Sequence, residues 1–145
     1  MMSGSRATLV LSLSVTASLG MECPPATPPD LEPVYTVSFA NDIQPIFNTH
    51  CTRCHVTGGF ANNSGIPLKL IEGVSYNLLI GRQSVNNPNW TLVAPGDPDN
   101  SLLYHKMSST MPPVGRRMPW DGATTLSQDE IDHVRTWIAE GAVNN

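Results

Sequence analysis

The sequence has few charged residues, few aromatic residues and no strongly apolar run of membrane-spanning length. Charged residues make up 14% of the 145 positions and aromatic residues 6%, and the eight Lys and Arg residues are scattered apart from the pair Arg116-Arg117. The lack of a basic stripe argues against a nucleic-acid partner. The apolar stretch at residues 7–19 is too short, and too rich in Ser and Thr, to span a bilayer.

Proline and glycine, in contrast, are abundant. Thirteen prolines and eleven glycines in a chain of this length predict one loop-rich domain with short helices and a modest core. Five of the prolines fall in residues 24–33. Such a segment is a stiff, extended spacer and not part of a core, and we assign residues 21–37 to a Pro-rich tether.

The N-terminus has the composition of a secretory signal. Arg6 supplies a thin positive region, residues 7–19 are moderately apolar, and small residues precede a cleavage site after Gly20. We therefore expect a signal peptide at residues 1–20 and a protein that is exported, either periplasmic or tethered to the membrane facing the periplasm. Cys23 follows at once and is a candidate lipid anchor, although Glu22 is a poor residue to precede an acylated cysteine; the alternative is a free or intermolecularly paired thiol.

The most specific motif is Cys51-Thr52-Arg53-Cys54-His55. The pattern C-x-x-C-H is typical of c-type haem attachment. On a helix, positions i, i+3 and i+4 share one face, so both thiols could bond the porphyrin edge while the imidazole of His55 ligates the iron. Two other interpretations are a redox C-x-x-C, which would be expected beside a βαβ unit, and half of a zinc site, which needs a second ligand pair.

Short helices are expected on both sides of this motif. The first spans about residues 38–48, with Ser38 or Asn41 as the cap and Gln44 closing a capping box. Others are expected at residues 74–80 and from residue 102 onward, the latter capped by Asp97 or Asn100. The last helix has the clearest signals: Ser127 and Glu130 form a capping box, an apolar stripe follows, and Gly141 ends it, with Trp137 packing near Phe39 or Phe47.

The arrangement of these elements resembles the monohaem cytochrome c family, in particular the secreted cytochrome c-like domains of myxobacterial and planctomycete type. The resemblance rests on CTRCH after a short helix, a Pro-Gly-Asp-Pro-x-x-Ser-x-Leu segment, a Met-Pro loop and a closing helix. It implies an all-α, cytochrome c-like domain at residues 38–145, with about four or five short helices and long loops around one covalently bound haem c.

The resemblance also implies a methionine as the second iron ligand, from the loop before the last helix. Two Met-Pro pairs are present, and Met118-Pro119 lies at the usual distance before that helix, which favours Met118. Met111 is the alternative, and His105 and Met107 are weaker candidates, since a methionine on a helix more often fills the core. The expected site is therefore Cys51, Cys54, His55 and Met118, with the last two as iron ligands.

Filled axial positions leave no place for a substrate, which favours an electron carrier over an enzyme. The expected function is single-electron transfer between exported redox partner proteins, with iron cycling between Fe(II) and Fe(III). The alternatives are an electron-input subunit of a haem oxidoreductase or peroxidase, and a haem-based ligand sensor. A membrane would be involved only through a lipid at Cys23.

Overall fold

The computed structural model describes residues 34–145, and within them the chain is all-α. Extended segments in this range form only isolated β-bridges, such as that between Ile80 and Val93. None of the helices in this part of the chain has the length and apolar content needed to cross a bilayer. The expected signal peptide, Cys23 and most of the tether lie outside the described residues.

Within residues 34–145, five short α-helices alternate with longer irregular segments. A π-helical turn at Phe39–Ile43 runs directly into the first helix. The helices are α1 (Gln44–His50), α2 (Phe60–Asn63), α3 (Ser75–Leu79), α4 (Leu102–Ser108) and α5 (Gln128–Ala139), with a 3-10 turn at Pro98–Asn100 before α4.

The start of the first helical segment differs from the prediction in one residue. Ser38 is the cap, as expected, and its hydroxyl accepts a hydrogen bond from Asn41 N at 3.2 Å. The reciprocal bond, however, goes from Ser38 N to the Asp42 carboxylate at 2.7 Å, not to Gln44. Gln44 is instead 5% exposed and donates to the Leu70 carbonyl at 3.0 Å. Its amide therefore ties α1 to a distant loop and does not cap the helix.

The predicted capping box of α5 is confirmed. Ser127 Oγ accepts from Glu130 N, and the Glu130 carboxylate accepts from Ser127 N at 2.8 Å. The helix ends before Gly141, whose φ of +101° lies in the region that favours glycine. The predicted apolar stripe, which includes Trp137, is buried.

The cap predicted for α4 belongs to a different element. Asp97 Oδ1 accepts from Asn100 N at 3.1 Å, so Asp97 caps the 3-10 turn and not α4. Ser101 occupies the N-cap position of α4, but its hydroxyl donates to the Asp97 carbonyl at 2.8 Å instead of capping the helix. Asp97, which we expected to cap α4, therefore caps the 3-10 turn that precedes it.

An aromatic cluster joins the two ends of the described chain. The ring of Phe39 lies 5.3 Å from that of Trp137, 5.2 Å from Tyr76 and 6.2 Å from Phe47. The predicted contact between Trp137 and Phe39 is therefore confirmed. Phe47 and Trp137 are fully buried, so this cluster anchors α5 against the helical segment that precedes the C-x-x-C-H motif.

Candidate functional site

A cavity of about 490 Å³ opens beside the C-x-x-C-H motif. Its wall is mainly aliphatic, with Leu68, Leu79, Leu103, Met107 and Val114 among its members. Protein interiors are close-packed and rarely contain voids much larger than a water molecule. An apolar space of this size therefore has the properties of a binding site for a large apolar group.

The helix α1 delivers the motif to this cavity. It ends at His50, and the motif continues as a helical turn in which Cys54 N and His55 N both donate to the Cys51 carbonyl, at 3.1 and 2.9 Å. The expected regular helix is absent, but this turn keeps the spacing that the motif needs. Both thiols and the imidazole reach the cavity wall.

A close backbone approach follows the motif at Gly59. A Cβ atom there would lie 2.5 Å from the Cys54 carbonyl oxygen, closer than van der Waals contact allows. Glycine is therefore required for the chain to turn back so tightly over the C-x-x-C-H motif. Sequence reasoning did not find this contact.

The imidazole of His55 is oriented by a backbone carbonyl. Its Nδ1 lies 3.2 Å from the Leu68 oxygen, and since a carbonyl only accepts, Nδ1 carries the hydrogen. In the neutral ring, Nε2 then has a free lone pair. Burial lowers the pKa of His55, with the Leu68 hydrogen bond opposing and Lys106 adding to the shift, which favours that neutral form. Such a ring is prepared to ligate a metal.

Leu68 lines the cavity. The carbonyl of this residue was missed as the partner of His55. No signal in the sequence could have found it, because every residue carries a carbonyl and only the path of the 66–70 segment brings this one close. The same segment is held by a bond from Leu70 N to the His55 carbonyl at 2.9 Å.

The environment of Cys51 does not favour thiolate chemistry. Burial, together with the neighbouring Cys54 and Glu130, raises the pKa of the Cys51 thiol to about 12. A reactive redox cysteine requires the contrary shift, because the thiolate is the nucleophile. Among residues 34–145, no three His, Cys, Asp or Glu side chains converge as a metal-binding group. Both the redox and the zinc interpretations of the motif therefore lose support.

The candidates for a second ligand occupy different places. Met118 is half-buried and lines the cavity, whereas Met111 is 87% exposed and does not. His105 also lies outside the wall, where its Nε2 donates to the Asp99 carbonyl at 2.7 Å. Met107 is in the wall but only 2% exposed, as expected of a core residue. The structure thus brings Met118 to the same cavity as His55.

Two contacts at the cavity mouth join distant segments of the chain. Arg53 Nη2 donates to Asp121 Oδ2 at 2.6 Å, and the rings of Phe60 and Trp120 lie 5.3 Å apart. All four residues line the cavity. The segment that follows Met118 is therefore fastened to the segment around the C-x-x-C-H motif, a pairing that sequence reasoning did not find.

His50 connects the end of α1 to the start of α5. Its Nε2 donates to Glu130 Oε1 at 2.9 Å, and its side chain is 8% exposed. The other ring nitrogen, Nδ1, is buried and has no hydrogen-bond partner among the described residues. This pair places the residue before Cys51 against the capping box of α5.

Comparison with known proteins gives one partial similarity. Over 123 residues the chain is 32% identical to hydrazine synthase subunit alpha of Kuenenia stuttgartiensis. The aligned region covers 74% of this chain. The chain spans 15% of the length of that protein. No family model matches the chain. No solved structure matches it.

Proposed function

We propose that this chain is a monohaem c-type cytochrome that transfers single electrons between exported redox partner proteins. In this proposal Cys51 and Cys54 form thioether bonds to one haem c, and His55 and Met118 are the iron ligands. The observation that carries it is the convergence of these four side chains on one apolar cavity of about 490 Å³.

The residues of the cavity fit a haem in three respects. The aliphatic wall suits the porphyrin faces, and the two thiols at the cavity lie at the spacing that thioether attachment requires. The neutral imidazole of His55, held through Nδ1, leaves Nε2 for the iron.

The function follows from what these residues would do around the haem. The haem supplies a one-electron change between Fe(III) and Fe(II). The thioether of Met118 and the apolar wall favour the reduced form, and both keep water from the site. With His55 and Met118 holding the iron, such a haem would be suited to electron exchange and not to binding a substrate.

The second candidate is the electron-input subunit of a haem oxidoreductase or peroxidase, and a further alternative is a haem-based ligand sensor. The partial similarity to a subunit of a synthase favours such a subunit over a freely diffusing carrier. Export, periplasmic location and lipid attachment at Cys23 belong to the proposal on sequence grounds alone.

The direct test is periplasmic expression with the haem c maturation machinery. We expect a coloured protein whose haem survives extraction with acidic acetone, because thioether bonds resist it. The double variant Cys51→Ala/Cys54→Ala should lose all covalent haem, whereas Cys23→Ala, the matched cysteine control, should keep it. A colourless wild type, or haem extracted from it by acetone, would contradict the proposal.

Carbon monoxide separates the two candidates. The reduced wild-type protein of a His/Met carrier should bind the gas slowly, because Met118 must first leave the iron. Rapid binding would favour the enzyme-subunit or sensor alternative instead.

A further inference from the structure

The loop that carries Met118 is fastened to the last turn of α4. Residues 109–127, between α4 and α5, form neither helix nor strand. Within this loop Met118 N donates to the Lys106 carbonyl at 2.7 Å. Long loops of this kind are usually the most mobile parts of a domain. The bond to Lys106 therefore restrains the loop at the candidate ligand Met118 itself.

Two side chains make further bonds between the same segments. Lys106 Nζ donates to the Arg116 carbonyl at 2.9 Å, and Arg117 Nε donates to the Met107 carbonyl at 2.9 Å. Three hydrogen bonds therefore join two consecutive residues of α4 to three consecutive residues of the loop. We call this set the loop clasp.

The loop clasp uses groups that a helix leaves without partners. The carbonyls of Lys106 and Met107 belong to the last turn of α4, where no intrahelical donor reaches them. Gly115 permits the close approach: its φ is +62°, and a Cβ atom there would lie 3.0 Å from Lys106 Nζ. Met111 precedes the loop clasp and is 87% exposed, and its backbone N–H donates to the nearby Ser109 hydroxyl at 3.1 Å.

We propose that Lys106 and Arg117 are positioning residues that hold the Met118 thioether on the iron. This inference rests on the proposed His55 and Met118 ligation. Neither side chain needs to touch the haem iron to act. They restrict the backbone of residues 116–118. This restriction would keep the sulfur of Met118 beside the iron and so hinder binding of another ligand there.

Arg116 and Arg117 provide a matched pair for the test. Both arginines are exposed and carry the same charge, but Arg116 enters the loop clasp only through its backbone carbonyl, whereas Arg117 enters through its side chain. Arg116→Ala therefore removes a charge and leaves all three bonds, while Arg117→Ala removes the same charge and one bond. Lys106→Met removes the Nζ donor but keeps an apolar stem, and Lys106→Arg keeps a donor.

The measurement is the rate at which the reduced haem protein binds carbon monoxide. One lost hydrogen bond is expected to raise the rate about fivefold in Arg117→Ala and in Lys106→Met, because the open form becomes more populated by that factor. Arg116→Ala and Lys106→Arg should stay close to wild type. Met118→Ala gives the upper limit, and loss of the sulfur-to-iron absorption band should parallel the rate.

Denaturant unfolding of the same variants separates positioning from simple capping of α4. A purely structural role would lower the midpoint of unfolding in Arg117→Ala without changing the carbon monoxide rate, and that result would overturn the inference. So would equal rates in Arg116→Ala and Arg117→Ala, with His55 and Met118 ligation left intact. Rapid binding by the wild type would instead reject the ligation itself, and this inference with it.

Discussion

The region around Trp137 and the region around His55 bury their apolar side chains in different ways. Around Trp137, aromatic rings contact one another directly: Phe39 lies within 5.3 Å of Tyr76 and Trp137. Around His55, side chains of similar polarity such as Leu68 and Leu103 face a cavity of about 490 Å³. In the first region, protein side chains alone fill the interior. The second region is not packed to the usual interior density.

This difference separates two reasons for placing apolar residues in one small domain. Residues of the packed region stabilise the fold by contacts with each other. Residues of the cavity region gain comparable contacts only if another apolar group fills the space, and in our proposal that group is the haem. Substitutions in the two regions should therefore change different properties, the free energy of unfolding in one and the state of the iron in the other.

The largest expected effect is in the cavity region, at Met118. Met118→Ala removes the proposed sulfur ligand, so the low-spin spectrum of the oxidised protein should convert to one that responds fully to added imidazole or cyanide. Met111→Ala is the matched control, because Met111 has the same Met-Pro context but is 87% exposed and outside the cavity wall. The measurement is the visible absorption spectrum with and without added ligand. If Met111→Ala gives the conversion and Met118→Ala does not, the assignment of the distal ligand is wrong.

A smaller effect, on stability alone, is expected in the packed region. Trp137→Ala removes a side chain that is 1% exposed, together with the bond from its Nε1 to the Val143 carbonyl at 2.9 Å. Such large-to-small changes cost about 3–5 kcal/mol of unfolding free energy. Trp120→Ala, at a position 43% exposed, should cost less than half as much. Denaturant titration measures both, and equal losses would show that the two regions do not differ as described.

The parts of the fold that the sequence predicted correctly are those specified by neighbouring residues. The capping box of Ser127 and Glu130 lies within four positions, and the structure contains it. The C-x-x-C-H motif is also local: bonds to the Cys51 carbonyl close a helical turn within five positions, although the regular helix expected there is absent. Asp97 shows the limit of such local signals, because it caps the turn next to it and not the helix that follows.

The parts that could not be predicted depend on residues far apart in the chain. Arg53 and Asp121 pair across 68 positions, and nothing in either local sequence indicates the other. The two Met-Pro pairs are chemically equivalent as sequence. The sequence separates them only by their distance from the last helix. The bond from Met118 N to the Lys106 carbonyl forms only once α4 and the loop have met, so it could not be predicted.

The smallest expected effect is a pH dependence at the end of the packed region. The Glu140 carboxylate accepts hydrogen bonds from Thr36 N at 3.0 Å, from the Thr36 hydroxyl and from Val37 N at 3.2 Å. The hydrogen bond from the Thr36 hydroxyl is the largest cause of a lowered pKa for Glu140. A lowered pKa in the folded protein stabilises it above the pKa of the unfolded chain, about 4.3, and this contribution is lost as the pH falls through the folded value.

Glu140→Gln should therefore be less stable than wild type near neutral pH, and the difference should shrink on acidification below about pH 4. Unfolding free energies of both proteins at several pH values measure this convergence. Asp99→Asn is the control, because the Asp99 side chain accepts no hydrogen bond within residues 34–145 and should show no such trend. Glu140 connects Thr36 and Val37, before the π-helical turn, to the end of α5. Convergence of the two stabilities at low pH would show that these hydrogen bonds in the packed region depend on the charge of Glu140. A stability difference that is constant with pH would instead mean that the bonds to Thr36 and Val37 do not depend on the charge of Glu140.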